Sequence, residues 1–163
     1  MTAEGVVYSY IHSGGRIGVI LEMNCETDFV ARGDDFLEIA KRIAMHIAWA
    51  NPLYASREEV SREVLEKEEE ILRGQLTPQQ EKMADKIISG KMEKFFQENC
   101  LLEQLDVQEE GKKTIGTLVE ELSAKIGEKV VLRRFARFEV GEGVEKEEVD
   151  YAAEVAAAAA SIS

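Results

Sequence analysis

The sequence is poor in the residues that most site chemistry requires. It holds two cysteines, Cys25 and Cys100, and two histidines, His12 and His46. Neither cysteine belongs to a CxxC pair and the histidines join no cluster, which excludes a structural zinc site. No nucleophile stands beside a base in a recognisable motif, and no motif singles out a carboxylate pair. The chain therefore reads as a non-enzyme with no catalytic residue, no metal and no cofactor. It has no apolar run long enough to cross a bilayer, and Met1 is not followed by a basic and then apolar signal segment. The expectation is a soluble protein without a membrane partner. Apolar neighbours of Cys100 (Phe95, Phe96, Leu101 and Leu102) point to a buried thiol in a reducing compartment. Positive charge is scarce as well: 20 Lys and Arg against 32 Asp and Glu give a net charge of −12. That balance repels phosphate backbones and argues against direct nucleic-acid binding.

The chain has 163 residues, 45% of them hydrophobic and 32% charged, enough apolar material for one real core plus a small appendage. Residues 5–12 are rich in β-branched and aromatic types and read as a strand, as do residues 16–24. Gly14-Gly15 between them supplies the positive φ angles of a tight hairpin. Ser13-Gly14-Gly15-Arg16 lacks the spacing and the Lys-Ser/Thr of a phosphate loop, and it joins two strands, so it reads as a turn.

After the polar break Cys25–Asp28, apolar residues Phe36, Ile39, Ile43, Ile47 and Ala50 recur at steps of three and four. They predict a helix over Asp34–Ala50, stopped by Asn51-Pro52. His46 falls among these apolar residues and reads as a packed or half-exposed side chain. Ser56, with Glu59 three residues on, predicts a helix start, and the helix runs through Arg57–Arg73 to Gly74. The run Glu66–Glu70 reads as its solvated face. Thr77-Pro78 opens another helix, with Met83, Ile87, Phe95 and Phe96 on its apolar side and Gly90 as a candidate interruption. A short loop between the two predicts an antiparallel helix pair. Thr114–Ile126 is a further amphipathic helix.

Residues 129–140 alternate and predict a half-buried strand. Val130, Leu132, Phe138 and Val140 fall on one side, Arg133, Arg137 and Glu139 on the other. The arginines read as balanced by the chain's own carboxylates. The alanine-rich tail favours helix but is short enough to need something to dock on. These elements add up to an α+β fold, with a small three-stranded antiparallel sheet packed with helices, an antiparallel helix pair and a C-terminal helical tail. The expected division is a core over 1–142 and a tail module over 143–163.

Five stretches occur together and in order: Tyr10–Val19, Asn24–Arg32 (NCETDFVAR), Gly90–Phe96 with Cys100–Gln104, Gly127–Glu142, and the Ala-Ala-Glu-Val-Ala tail. Together they resemble the elongation factor Ts family, with Thr27-Asp28-Phe29-Val30 the most specific part. The resemblance implies a guanine nucleotide exchange factor that binds elongation factor Tu, GDP-bound and nucleotide-free, during translation elongation. Members of the family usually carry a small three-helix, ubiquitin-associated-like module ahead of the hairpin. This sequence starts two residues before Ala3-Glu4-Gly5 and is expected to lack it. The remainder resembles the family's short form, known in thermophiles, cyanobacteria and plastids, which tends to form homodimers. The implied compartment is the cytoplasm or, alternatively, the plastid stroma.

The residues alone leave two readings of Thr27–Val30. Phe29 is either an aromatic presented to a partner pocket with Asp28 beside it, or a side chain of this protein's own core with Asp28 capping a helical turn. The resemblance selects the first. It implies that Asp28 and Phe29 enter between two helices of the GTPase domain and disturb the segment that holds Mg²⁺ there. Tyr151 and Val155, four apart, are the candidate anchors of a docking tail helix. The competing function is an interaction or ribosome-associated scaffold without exchange activity.

Overall fold

The structure is a computed structural model that describes residues 2–109, 112–145 and 151–162. Two strands form first in the chain, β1 (Glu4–Ile11) and β2 (Ile17–Cys25). They pair antiparallel from Glu4↔Cys25 to Ile11↔Gly18. The turn between them has Gly14 at φ 92° and Gly15 at φ 69°, the left-handed values that glycine adopts without a Cβ penalty. A one-turn helix α1 (Asp28–Ala31) and the long helix α2 (Asp34–Ala50) follow. Then come α3 (Arg62–Gly74), α4 (Ala84–Asn99), α5 (Ile115–Ile126), β3 (Val131–Glu139) and α6 (Tyr151–Ala160). Short 3₁₀ turns fill Arg57–Glu59, Gln80–Met83, Leu101–Glu103 and Val107–Glu109.

The sheet order is β1-β2-β3, all antiparallel, so the fold is α+β as the sequence predicts. Helices cover one face only. Val19, Leu21 and Met23 of β2 point into a core completed by Phe36, Ile43 and Ile47 of α2, Leu118 and Leu122 of α5, and Leu132 of β3. Burial of these side chains is the main favourable term holding helices to sheet. Asp34–Ala50 forms with the predicted limits, and Asn51 at φ 48° ends it, its N–H donating to the Ile47 carbonyl.

Two predicted details are corrected. The first is the side assignment along β3. A bulge between Glu22 and Met23 in the register leaves Arg133 as the extra residue, since Met23 faces Leu132 and Glu22 faces Arg134. An extra residue reverses the alternation beyond it. Val130 and Leu132 face the core, but past the bulge Phe135 and Arg137 take the inner side, while Phe138 and Val140 lie outside, exposed. Arg137 is folded inward and donates twice to the Ala48 carbonyl, at 2.9 and 3.3 Å, near the C-terminus of α2, where a cation is favoured. Arg133 and Arg134 both pair with Glu22.

The second correction concerns the helix pair. α3 starts at Ser61, whose hydroxyl accepts from the Val64 amide, and not at Ser56. Ser56 precedes a single 3₁₀ turn, and Glu59 reaches back to the Ala55 amide. Glu59 thus takes the amide one residue ahead of Ser56, and Ser56 itself caps nothing, so no capping box forms there. Thr77 and Gln80 do form a reciprocal capping pair, but it leads into the 3₁₀ turn Gln80–Met83, so the helix predicted to open at Thr77-Pro78 starts only at Ala84, and α4 then runs unbroken through Gly90. Its buried residues are Ile88 and Met92, with Ile87, Phe95 and Phe96 half-buried and Met83 exposed in the turn ahead of it. α3 and α4 pack on each other, and Arg73 pairs with Asp85 across their connection.

Two buried polar contacts tie the segment after α4 to α2. Asp106, fully buried, accepts from the Arg42 guanidinium and from the Gln108 amide. His46 is packed, 1% exposed; one ring nitrogen lies 2.9 Å from the Gln104 side-chain oxygen and the other accepts from the Val107 amide at 3.4 Å. The second contact makes Nδ1 the acceptor, so Nε2 carries the proton and donates to Gln104. Burial pushes the His46 pKa down and keeps the ring neutral.

Gly5 sits at φ 152°, and a Cβ there would lie 2.2 Å from the Met23 carbonyl oxygen. Gly5→Ala is expected to cost roughly 3 kcal/mol of stability, because both the backbone conformation and the close approach of the β2 backbone at Met23 and Asn24 resist a side chain. A urea unfolding midpoint indistinguishable from that of the unsubstituted chain would contradict this.

Candidate functional site

β2 ends at Cys25, and the chain must turn sharply to start α2 at Asp34. The turn is made by α1, a single helical turn. Thr27 is its N-cap, with an extended backbone and a hydroxyl that accepts from the Val30 amide at 3.3 Å. Threonine followed by aspartate is a sound cap-and-first-turn pattern, because the hydroxyl satisfies an orphan amide and the carboxylate meets the positive end of the turn. Asp28 is therefore a first-turn residue and not the cap. Its carboxylate pairs with Arg32 one turn on, at 3.1 Å, with both side chains largely in solvent. Such a pair is worth little to stability.

The side chains of the turn diverge. Ala31 is buried and packs into the main core, and Val30 is half-buried against it. Phe29 is 81% exposed. An open groove runs beside it, lined by Val30, Arg32, Gly33, Asp35 and Ile126 among others. An aromatic ring left this bare at a rigid turn is unusual for a side chain with a core role. Of the two readings left open by the residues, the one that buries Phe29 inside this protein does not describe this fold.

The turn is fastened by a residue that local sequence patterns do not reveal. Glu128 follows α5, which Gly127 closes at φ 72° with its N–H donating to the Ser123 carbonyl. The Glu128 carboxylate accepts from the amides of Glu26 and Thr27, each at 3.0 Å, and from the Thr27 hydroxyl at 2.7 Å. In return, Glu26 accepts from the Lys129 amide at 3.1 Å. The Thr27 hydroxyl, and then the Thr27 and Glu26 amides, hold the Glu128 pKa below the ordinary carboxylate value, so it is a full acceptor at neutral pH. Beneath the turn, the Cys25 thiol donates to the Thr27 carbonyl at 3.2 Å, and burial pushes that thiol's pKa up. Both cysteines are buried and unpaired, as expected of thiols packed as small apolar groups.

The other candidate residues lie on α6. Tyr151 and Val155 stand one turn apart and are 74% and 68% exposed, and no residue of α6 is buried. Among the described residues no group of three or more His, Cys, Asp or Glu side chains is placed to hold a metal ion, and no helix is long and apolar enough to cross a membrane.

The family described as Elongation factor TS matches the chain over residues 1–142. Elongation factor Ts of Desulforamulus reducens is 55% identical over 159 residues, covering 96% of this chain and 73% of that protein. Elongation factor Ts of Syntrophomonas wolfei is 52% identical over 157 residues, covering 95% and 73%. That of Geobacter sulfurreducens is 54% identical over 158 residues, covering 96% and 73%.

The exposure of Phe29 generates a direct test in stability. Phe29→Ala is expected to change the unfolding free energy by less than about 0.5 kcal/mol, whereas Phe36→Ala, in the core, costs about 3–5 kcal/mol. Comparable losses in chemical denaturation would mean that Phe29 is packed.

Proposed function

Because this chain belongs to the elongation factor Ts family, and so to the translation elongation factors, we propose that it promotes GDP release from elongation factor Tu. It binds that GTPase in both its GDP-bound and nucleotide-free states. The single observation that carries the proposal is Phe29, exposed at the tip of a fastened turn with Asp28 beside it. An exposed aromatic carried on a fastened turn can enter a partner pocket and contribute a large share of interface energy. Asp28 brings a carboxylate that exchanges its solvent-exposed partner Arg32 for donors on the GTPase.

The mechanism is thermodynamic linkage and needs no bond chemistry. A protein that binds the nucleotide-free GTPase more tightly than the GDP-bound form weakens GDP binding by the same factor. The Thr27–Val30 tip enters the GTPase domain and displaces the segment that holds Mg²⁺ against the phosphates. Mg²⁺ demands near-octahedral geometry, so a small displacement of its ligands costs much nucleotide affinity. Core 1–142 presents the tip; the 143–163 module, through Tyr151 and Val155, adds a second docking point. The place of action is the bacterial cytoplasm, or the stroma in a plastid.

The chain also acts as a homodimer in this reading. Supporting it, the sheet face opposite the helices carries Val7, Ile11, Ile20 and Phe138 uncovered, with Phe138 77% exposed. An uncovered apolar sheet face of this kind favours association. Ile20→Glu is expected to shift sedimentation toward the monomer; a sedimentation coefficient that does not move would remove this element.

Exchange itself is tested by stopped-flow release of a fluorescent GDP analogue from elongation factor Tu. The chain is expected to accelerate release, and the double substitution Asp28→Ala, Phe29→Ala to slow it at least about 30-fold, the loss of one interface hot spot. Release unchanged by the double substitution rules out the tip as the wedge. Failure of the unsubstituted chain to retain nucleotide-free elongation factor Tu in a pull-down favours the scaffold reading instead.

A further inference from the structure

The geometry points to Glu128 as the positioning residue of the exchange tip, the group that holds Thr27–Val30 in the one conformation able to enter the partner. This inference rests on the exchange reading above. Glu128 lies about a hundred residues from the tip in sequence and reaches it only because α5 ends where β2 ends. Gly127 turns the chain out of α5, and the Val130 amide donates to the Ser123 hydroxyl at 3.0 Å, which fixes the corner that carries Glu128. From that corner its two carboxylate oxygens take three hydrogens, two from backbone amides and one from the Thr27 hydroxyl.

The Thr27 hydroxyl is the critical link. It donates to Glu128 at 2.7 Å and accepts from the Val30 amide at 3.3 Å, so the carboxylate orients the cap that closes α1. A helix of four residues cannot hold itself in water, because nucleation is unfavourable and only one turn exists to offset it. Phe29 rides on that turn and has little packing of its own to set its direction. The direction of the ring is thus set at one remove, through Thr27, by Glu128. The clasp is mutual: Glu26 takes the Lys129 amide on the opposite corner.

The atoms Glu128 touches belong to the turn and not to the main core, and this separates positioning from general stability. Removing the carboxylate leaves two amides free to bind water and lets the turn sample other conformations. Apparent affinity then falls in proportion to the fraction of time the competent conformation is populated, while the release rate at the filled interface is unchanged.

The test titrates the full chain, with Glu128→Ala or Glu128→Gln, against elongation factor Tu carrying a fluorescent GDP analogue, and reads half-saturating concentration and limiting release rate separately. Glu128→Ala is expected to raise the half-saturating concentration about tenfold at an unchanged limiting rate, as for a tip competent a tenth of the time. Glu128→Gln keeps an oxygen for the two amides but presents an N–H in place of the oxygen that accepts from the Thr27 hydroxyl, and should recover part of the loss. Amide hydrogen exchange should quicken at Glu26 and Thr27 in Glu128→Ala while the urea midpoint holds. The proposal is overturned if Glu128→Ala titrates like the unsubstituted chain while the Asp28→Ala, Phe29→Ala pair still slows release, a result that leaves the exchange reading standing. It is equally overturned if the loss in Glu128→Ala merely follows a fall in the urea midpoint, or if Glu128→Gln is no better than Glu128→Ala. Unchanged release in the double substitution defeats the exchange reading and this inference together.

Discussion

The pairing of β2 with β3 is the contact on which the rest of the molecule depends. β2 is the central strand, and its second partner arrives more than a hundred residues later, with Met23 facing Leu132 and Asn24 facing Val131. Closing so long a loop is entropically unfavourable, and the offset comes from burying Val19, Leu21 and Met23 under α2 and α5. Once closed, the pairing brings the corner between α5 and β3 against the corner between β2 and α1. The Glu26 and Glu128 clasp exists only there.

Polar groups buried in the same fold do a different job. Asp106 with Arg42, and His46 with Gln104 and the Val107 amide, fix the segment that follows α4 against the middle of α2. A buried carboxylate or ring without those partners would carry a full desolvation cost, so each contact specifies one path for the chain more than it adds net stability. The helix pair α3–α4 hangs from this region through Tyr54, Cys100 and Leu101, and α3 buries none of its own residues. The core is thus a sheet with α2 and α5, and the helix pair is an attachment to it.

Charge is distributed in keeping with this. The arginines of β3 do not form a free basic strip. Arg133 and Arg134 close on Glu22, Arg137 turns inward to the Ala48 carbonyl, and Arg57 spans Glu93 and Glu103 over the Phe96 ring. In a chain with 32 Asp and Glu against 20 Lys and Arg, these cations find carboxylates or a helix end within the chain itself. Exposed apolar side chains include the Phe29 tip, the uncovered sheet face, and Trp49 and Leu53 at the end of α2.

What the sequence by itself determined is what depends on near neighbours. The hairpin follows from Gly14-Gly15 between β-rich runs, α2 from its three-and-four spacing and Asn51-Pro52, and α5 from its apolar face. The exchange of sides along β3 was not legible, because a bulge is created by the partner strand and reverses every residue beyond it. The start of α3 at Ser61 was not legible either, since Ser56 with Glu59 carries the fuller cap pattern, yet it is the Ser61 hydroxyl that takes a helix amide. The direction of Phe29 and the partner that fastens its turn belong to tertiary structure alone. A glutamate after a helix-closing glycine looks like any surface carboxylate until the fold sets two unsatisfied amides and a hydroxyl in front of it, and no local pattern encodes a neighbour a hundred residues away.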